Sequence, residues 1–403
     1  MNVIAVFAAP LHGHFRRLRP LIAGLVHAGL RVVVFTDRCF RAEIERFGAS
    51  AVDLYAGRPI DGVDPVSVPM SCRFVSFAGR YGDQVVREVR DIRPSLVVHD
   101  TFSVIGRVVA HHLGVPRVNV CAGHNLEPAR IIEAVHRDLR VQISDACLEA
   151  ARTLRERHGI PDASPFSYVS AVSPDLNLYC EPPEFLPACQ HGPFEPLAFF
   201  GSICPGDDTP GDARMFPLAG GRRPALRVYA SFGTIVWRFF EDQALAALEA
   251  LADAVGHRRD ASAVVSLGGR AVTGRAAGLA RANVRVESYV DQWQALGTAS
   301  VYLTHHGLNS THEAIFAGVP MISYPFFWDQ PGLAARCQEL GLAVPLAGTL
   351  RGHVEPGMVG AALAQVEASR GQMRARLAEA RDWELDTIRR RHEVVRRIIG
   401  LVS

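Results

Sequence analysis

The sequence predicts an α/β protein with two Rossmann-like, doubly wound parallel-sheet domains that face each other across a cleft. Short apolar runs alternate with helical stretches through the first half of the chain, and the alternation restarts near residue 225. The succession of helix, Gly-Val-Pro and apolar strand occurs twice, at 114–116 and at 318–320. Alternating strands and helices favour a parallel sheet covered on both faces. A chain of 403 residues can also bury two cores.

The apolar runs and turn residues place the elements and the domain boundaries. The first domain is predicted over 1–205, with strands at 3–7, 31–35, 51–55, 96–99, 117–120, 176–179 and 197–200 and helices at about 17–28, 43–47, 85–90, 101–113 and 129–158. A passage rich in Pro, Gly and Asp, 206–224, is the predicted linker. The second domain, 225–380, has predicted strands at 226–230, 263–267, 284–286, 301–303 and 321–324 and a helix around 243–255.

Composition narrows the classes of function. A net charge of +2 gives no basic footprint for nucleic acid. The eight cysteines show no Cys-x-x-Cys pairs or metal-ligand spacing, which is typical of reduced thiols in a cytosol. The opening apolar run is too short to cross a bilayer and lacks a basic leader, so neither a signal peptide nor a membrane span is expected. We therefore expect a cytoplasmic protein with no nucleic-acid partner; no oligomeric state is predicted.

The segment 301–330 has the residue order of a nucleotide-diphosphate site. A short buried strand leads through a polar turn into a helix expected to begin near Asn309, with Asn309 and Ser310 as N-caps. The amides and dipole at a helix N-terminus favour an anion such as a phosphate. His305 lies beside this turn as a hydrogen-bond donor. Glu313, one turn into the helix, can accept hydrogen bonds from a ribose diol.

Two further pairs of residues suit the same nucleotide-diphosphate site. Asp329 and Gln330 follow the next strand, and a carboxylate with an amide suits sugar hydroxyls. Gly233 and Thr234 follow the strand at 226–230, where glycine lets the backbone approach a phosphate and the threonine hydroxyl can donate to it.

This order of residues resembles the donor signature of the nucleotide-sugar-dependent glycosyltransferases of the macrolide and UDP-glucosyl type. The family pattern is His-Gly-Gly, Asn-Ser, Glu-Ala, Gly-Val-Pro and Asp-Gln. The matching residues are His305, Gly307, Asn309, Ser310, Glu313, Ala314, Gly318, Val319, Pro320, Asp329 and Gln330. Two positions depart from the pattern. His306 replaces a glycine and is expected to crowd the phosphate turn, and Leu333 stands where an asparagine commonly follows.

The resemblance implies a fold and more of the donor site. It implies the GT-B fold, in which the C-terminal helix, here 381–403, commonly packs back on the N-terminal domain. Gly233 and Thr234 are similar to the family's Ser-x-Gly-Thr/Ser turn. Tyr289, Val290 and Gln292 lie where the family commonly has Trp-Val-Pro-Gln, whose ring stacks on the base and whose adjacent backbone reads the base edge.

Catalysis is expected from the first domain. His14 follows the first strand and matches the family's histidine, and Asp100 ends the fourth strand and matches its acidic partner. A histidine held by a carboxylate is a suitable general base. The resemblance thus implies that His14 deprotonates an acceptor hydroxyl while the nucleoside diphosphate leaves from the opposite face, with inversion. No metal or other cofactor is expected, because no Asp-x-Asp follows an apolar strand.

Other functions stay open at this stage. A dinucleotide oxidoreductase would share the doubly wound halves, but the first turn, 8–14, lacks Gly-x-Gly-x-x-Gly. A GT-B epimerase or hydrolase of a nucleotide sugar, or a non-catalytic sugar-nucleotide-binding partner protein, would keep the donor site. The predicted substrates are a nucleotide sugar and a small acceptor, with family analogy favouring a secondary metabolite. The sugar, the acceptor and the choice between UDP and dTDP remain open.

Overall fold

The chain forms two compact units. In the computed structural model, residues 2–67, 72–121, 123–124, 127–138, 140–170, 172–202 and 213–402 are described. The first unit comprises Met1–Ser202 with Leu385–Ser403, and the second comprises Ile203–Glu384. Residues 206–212 of the predicted linker lie outside the described residues. Each unit contains one parallel sheet with helices between its strands, which confirms the predicted fold class.

The first unit is built on a seven-stranded sheet in the order β3-β2-β1-β4-β5-β6-β7. Its strands are β1 (Val3–Phe7), β2 (Arg31–Thr36), β3 (Ser50–Asp53), β4 (Leu96–Asp100), β5 (Arg117–Cys121), β6 (Leu176–Tyr179) and β7 (Leu197–Phe199). The strand order reverses between β1 and β4, where Phe7 pairs with His99. Doubly wound sheets bind ligands at such a reversal, beyond the carboxyl ends of the strands.

Helices cover both faces of this sheet. They are α1 (His12–His27), α2 (Arg41–Arg46), α3 (Ile60–Val63), α4 (Cys72–Arg90), α5 (Val104–Leu113), α6 (Pro128–Arg137), α7 (Asp145–Glu156) and α8 (Ser167–Ser170). Apolar strand residues such as Ile4 and Val98 are fully buried against α1 residues such as Leu18. This packing fixes the direction in which α1 leaves the carboxyl end of β1.

The second unit has a six-stranded sheet in the order β10-β9-β8-β11-β12-β13. Its strands are β8 (Leu226–Ser231), β9 (Ala261–Ser266), β10 (Val284–Glu287), β11 (Val301–Thr304), β12 (Met321–Ser323) and β13 (Ala343–Pro345). Its helices are α9 (Val236–Phe239), α10 (Glu241–Gly256), α11 (Gln292–Leu296), α12 (Leu308–Ala317), α13 (Gln330–Glu339) and α14 (Pro356–Arg389), the last of which runs past the unit boundary. The order reverses between β8 and β11, and Ser231 pairs with Thr304 at their carboxyl ends.

The repeated Gly-Val-Pro triplet has the same geometry in both units. Gly114 and Gly318 follow α5 and α12 with φ of 63° and 67°, in the left-handed region. In each case the next amide turns back onto the helix, from Val115 to Ala110 and from Val319 to Ala314. Glycine adopts this conformation without a Cβ penalty, so each triplet stops its helix and starts the following strand.

The C-terminal helix α15 (Arg391–Gly400) belongs to the first unit. Val394, Val395 and Ile398 are buried in the core around β1 and α1. The Arg391 guanidinium donates from Nε to the Phe200 carbonyl at 2.7 Å and lies 4.8 Å from the centre of the Phe200 ring. The arginines at this end of the chain therefore include one that fastens α15 to the end of β7.

Several predicted boundaries were wrong. Helix α1 begins at His12 and not near residue 17. The start was missed because Leu11 offers no capping side chain and the helix proline, Pro20, lies inside the helix and not at its first position. The stretch 129–158 is two helices, since the Ser144 hydroxyl accepts from the Cys147 amide at 3.1 Å and caps α7. The three-residue strand β13 was not predicted, and α4 extends much further toward its N-terminus than 85–90.

The described part of the chain contains neither a candidate membrane span nor a cluster of metal ligands. No helix there combines the length and apolar composition needed to cross a bilayer. Over the same residues, no group of three or more His, Cys, Asp or Glu side chains could hold a metal ion.

Candidate active site

His14 and Asp100 meet at the sheet reversal of the first unit. His14 lies in the first turn of α1, and its Nδ1 is 2.8 Å from Oδ2 of Asp100, the last residue of β4. The carboxylate is fully buried, and its Oδ1 accepts from the Phe102 amide at 2.7 Å. A carboxylate only accepts hydrogen bonds, so in the neutral imidazole Nδ1 carries the proton and Nε2 keeps its lone pair. This arrangement equips Nε2 to receive a proton from a substrate.

Aromatic rings flank this pair, which the sequence did not indicate. The Phe102 ring centre lies 4.4 Å from that of His14. Phe74 and Tyr168 continue the cluster, at 5.7 Å and 5.8 Å from Phe102. Only the position of Phe102, two residues beyond Asp100, could have suggested it. The cluster restricts rotation of the imidazole and gives an apolar surface beside the base.

A second histidine and carboxylate lie at the same sheet edge. The His124 Nδ1 is 2.8 Å from Oε2 of Glu181 and 3.1 Å from the Tyr179 hydroxyl. Both side chains of the pair are almost wholly buried. They follow β5 and β6 respectively, and nothing in their local sequence predicted the pairing. The contact joins His124, which follows β5, to Glu181, which follows β6.

In the second unit, His305 packs between two glycines. Gly233 follows β8 with φ of 69°, and an ideal Cβ on it would lie 2.8 Å from Nε2 of His305. A Cβ on Gly307 would lie 2.4 Å from the same atom. Both glycines therefore leave room for the imidazole at the reversal between β8 and β11. Thr234, next to Gly233, is exposed.

The imidazole of His305 is uncharged near neutral pH. Burial lowers the pKa of His305 to about 4, and a hydrogen bond with the Ser231 backbone opposes that shift only in part. A neutral imidazole has one N–H donor and one acceptor. His305 can thus donate to a phosphate oxygen, but it brings no full positive charge.

The predicted N-caps of α12 were wrong. Gly307 is the N-cap, without a side-chain hydrogen bond, and Asn309 and Ser310 are the second and third residues of the helix. Their amides belong to the first turn, whose N–H groups have no partner inside a helix. The error arose because Asn and Ser are frequent caps, whereas here glycine takes the cap position, where a Cβ would meet the His305 ring.

His306 does not crowd the phosphate turn. Its backbone has φ of 58°, and its side chain is fully buried. Nδ1 lies 3.2 Å from the Thr311 hydroxyl and Nε2 lies 2.8 Å from the Ser323 hydroxyl. Burial lowers the pKa of His306 to about 3, with His305 and His312 adding to the effect. The ring therefore joins α12 to β12 below the turn as a neutral group.

Gln292, Ser310 and Glu313 form one hydrogen-bonded group. The Gln292 amide donates from Nε2 to Oε2 of Glu313 at 2.6 Å, and the same nitrogen lies 3.2 Å from the Ser310 hydroxyl. Three residues predicted separately are thus brought together from α11 and α12. Tyr289 and Val290 precede this group; Tyr289 is 71% exposed and Val290 is buried. An exposed ring is accessible to a planar base.

Asp329 and Gln330 begin α13, where Gln330 shapes its own loop. Gln330 is buried, and its Oε1 accepts from the amides of Phe326 and Phe327 at 2.9 Å and 3.3 Å. Asp329 occupies the N-cap position and is partly exposed. The Gln330 oxygen is therefore committed to the protein's own backbone, and Nε2 is the remaining polar atom of this side chain.

The sequence is similar to those of known glycosyltransferases. A model of the family described as UDP-glucoronosyl and UDP-glucosyl transferase matches residues 192–350. The NDP-glycosyltransferase YjiC of Bacillus subtilis (strain 168) is 25% identical over 350 residues, which are 85% of this chain and 84% of the relative. The oleandomycin glycosyltransferase of Streptomyces antibioticus is 27% identical over 354 residues, 85% of this chain and 79% of the relative.

The solved structures extend the likeness to the whole fold. The glycotransferase of kitacinnamycin matches with a TM-score of 0.73 and 24% identity, over 98% of each chain. The family model covers every predicted donor residue from Gly233 to Gln330, whereas His14 and Asp100 lie outside it. The fold of both units is thus that of known glycosyltransferases.

Proposed function

Because the chain belongs to the nucleotide-sugar glycosyltransferases of the UDP-glucuronosyl and UDP-glucosyl type, with a GT-B fold, we propose an inverting transfer to a natural-product hydroxyl. The sugar is a hexose or deoxyhexose carried by UDP or dTDP. The acceptor class is suggested by the oleandomycin glycosyltransferase among the relatives. The observation that carries the proposal is the hydrogen bond of 2.8 Å between His14 and the buried Asp100.

His14 is the general base in this proposal. Its Nε2 accepts the proton of the acceptor hydroxyl while that oxygen forms a bond to the anomeric carbon. Asp100 keeps the proton on Nδ1 and stabilises the imidazolium that forms, because its carboxylate is buried and already oriented by the Phe102 amide. The apolar ring of Phe102 suits an acceptor with an apolar body.

The second unit holds the nucleotide in this proposal. As the bond between the anomeric carbon and the phosphate oxygen breaks, the electron pair leaves with the nucleoside diphosphate. The first-turn amides of α12, the neutral His305 and the Thr234 hydroxyl meet the growing charge. Gln292, Ser310 and Glu313 bind the ribose, Tyr289 stacks on the base, and Asp329 with Gln330 Nε2 binds the sugar. A single displacement inverts the anomeric configuration, and we propose that it proceeds without a metal ion.

We also propose a cytoplasmic location. The seven cysteines within the described ranges are all free thiols, which is typical of a reducing compartment. A turn crowded by His306 would favour a non-catalytic binding partner. The ring of His306 is buried against Ser323 and does not crowd the turn, so this reason for the alternative is gone.

The first experiment is thermal unfolding with UDP, dTDP, GDP and NAD at matched concentrations. A ligand at a hundredfold its dissociation constant adds about 2.7 kcal/mol to stability. We expect stabilisation by UDP or dTDP and none by NAD. No stabilisation by either nucleotide would contradict the donor site.

Product analysis tests the reaction itself. NMR of the glycoside should show the anomeric configuration opposite to that of the donor. Retention would exclude a single displacement. Rapid consumption of the nucleotide sugar without any acceptor would favour the epimerase or hydrolase alternative.

A further inference from the structure

The hydroxyl of Tyr302 contacts the group formed by Gln292, Ser310 and Glu313 through its Gln292 member. Tyr302 is on β11 and is fully buried, and its ring stacks on that of Tyr229 with centres 5.0 Å apart. The hydroxyl is 2.9 Å from Oε1 of Gln292 and, more weakly, 3.4 Å from the Ser231 carbonyl. It is thus a buried polar group that no step of the reaction uses.

Hydrogen-bond chemistry gives this chain of groups one direction. Glu313 only accepts when ionised, so the Gln292 atom facing it at 2.6 Å is the amide nitrogen. The amide oxygen then faces Tyr302 and has to accept. Burial raises the pKa of Tyr302 to about 12, so the phenol is protonated at neutral pH and can donate. Tyr302 therefore donates to Gln292, and Gln292 donates to Glu313.

We propose that Tyr302 is a positioning residue for ribose recognition, which it controls by fixing the Gln292 amide and thereby the Glu313 carboxylate. This inference rests on the proposed function, in which Glu313 receives the ribose hydroxyls of a nucleoside diphosphate. The amide donor fixes one carboxylate oxygen at 2.6 Å, so the carboxylate is held in one orientation before the nucleotide binds. Preorganisation of this kind lowers the cost of ordering on binding.

Loss of the hydroxyl has a defined consequence. In Tyr302→Phe the ring and its stacking on Tyr229 remain, but Oε1 of Gln292 loses its donor at 2.9 Å and keeps only the weak contact of 3.5 Å with the Ser310 hydroxyl. The amide is then no longer confined to the orientation that presents Nε2 to Glu313. A buried hydrogen bond of this type contributes roughly 1 kcal/mol, equivalent to about a fivefold change in an equilibrium constant.

The experiment compares a nucleotide with its analogue lacking ribose hydroxyls. Dissociation constants are measured by calorimetry for whichever of UDP and dTDP the wild type binds, and for its 2′,3′-dideoxy counterpart. Tyr302→Phe should weaken the natural nucleotide about fivefold and change the dideoxy analogue much less. The matched control is Tyr229→Phe, which removes a buried hydroxyl from the adjacent strand without touching Gln292 and should preserve the ratio of the two constants.

A double-mutant cycle tests the route through Gln292. If Tyr302 acts through this amide, Tyr302→Phe should have no further effect on nucleotide binding in a Gln292→Ala background. Equal weakening of both nucleotides, or full additivity of the two substitutions, would overturn the assignment. A wild type that binds neither UDP nor dTDP would instead refute the proposed function. In steady-state assays Tyr302→Phe should raise the donor KM with little change in kcat.

Discussion

His14 is oriented by a carboxylate that is itself oriented by the backbone. One oxygen of Asp100 accepts a hydrogen bond from Nδ1 of His14, and the other accepts one from the Phe102 amide. The carboxylate therefore cannot rotate away from the imidazole. The Phe102 ring restrains the imidazole from the side. A base held in this way presents Nε2 in one tautomer and one direction, which is what proton transfer from a positioned hydroxyl requires.

We predict that His14→Ala lowers kcat by roughly 10²–10⁴-fold while nucleotide affinity is unchanged. Asp100→Asn should be comparably inactive, because its amide nitrogen would face Nδ1 and force the proton onto Nε2. Steady-state kinetics with calorimetric titration of UDP or dTDP measures both effects. Asp162→Asn, which changes a carboxylate paired with Arg107 elsewhere in the first unit, is the control and should retain activity. Near-normal turnover in His14→Ala would eliminate it as the base.

His306 makes stability depend on pH. Burial depresses its pKa to about 3, whereas an unfolded histidine titrates near 6.5, so in between only the unfolded state binds the proton. The contribution of His306 to stability is therefore fully present above pH 6.5 and falls as the pH drops, until the folded histidine is protonated as well. At pH 5 the loss is about 2 kcal/mol for one such histidine. His305, with its pKa lowered to about 4, acts in the same direction.

We predict that His306→Gly costs about 2 kcal/mol at pH 8, since relief of the left-handed backbone only partly offsets a buried ring and two hydrogen bonds. At pH 5 the difference from wild type should nearly vanish, because the variant has lost one buried neutral histidine. Urea unfolding at the two pH values measures this. His306→Asn, which tolerates positive φ, should share the pH effect at a smaller cost. A constant difference across pH would show that His306 does not contribute to acid sensitivity.

The turn between β11 and α12 is the element on which the donor site depends. Gly307 has φ of −62°, a backbone conformation that alanine adopts without strain. The Cβ of an alanine there would nevertheless lie 2.4 Å from Nε2 of His305. Gly307→Ala therefore displaces the imidazole without straining the backbone. We predict about tenfold weaker UDP or dTDP binding, equivalent to roughly 1.4 kcal/mol, with the fold retained.

Gly278→Ala is the control for this turn, because nothing lies within 4 Å of its ideal Cβ. Titration calorimetry and circular dichroism on both variants separate the effects. Unchanged nucleotide binding in Gly307→Ala would mean that His305 does not contact the donor.

Elements with strong periodicity were predictable from sequence. Contacts between distant residues were not, apart from the pairing of His14 with Asp100, which the family resemblance implied. The apolar runs of β1 and β11 matched their strands to within one residue. The start of α1 was missed because Leu11 offers no capping side chain. The bond between Gln292 and Glu313 joins two helices and is invisible to local pattern. The inward direction of His306 follows from a left-handed backbone that histidine does not encode.

On the scale of the molecule, each unit carries its own core, and the end of the chain completes the first one. Ile398 of α15 is fully buried beside β1 and α1. We predict that Ile398→Ala destabilises the first unit by about 2–5 kcal/mol. Hydrogen exchange should accelerate in β1 and α1 but not in β8 and β11. Arg396→Ala, which changes an exposed side chain of the same helix, is the control, and uniform acceleration throughout the chain would contradict the assignment.

The chain leaves the first unit after Ser202 and returns to it at Leu385, and these two points are neighbours. An ideal Cβ on Gly201 would lie 3.2 Å from the Thr387 side chain, and Arg391 donates to the Phe200 carbonyl nearby. Along the chain, the second unit is thus an insertion into the first, and the two junctions of that insertion lie close together. Such insertions can be exchanged at two closely spaced junctions. Recombining inserts from relatives at this site would, under the proposed function, alter the sugar donor while the machinery that selects the acceptor stays in place.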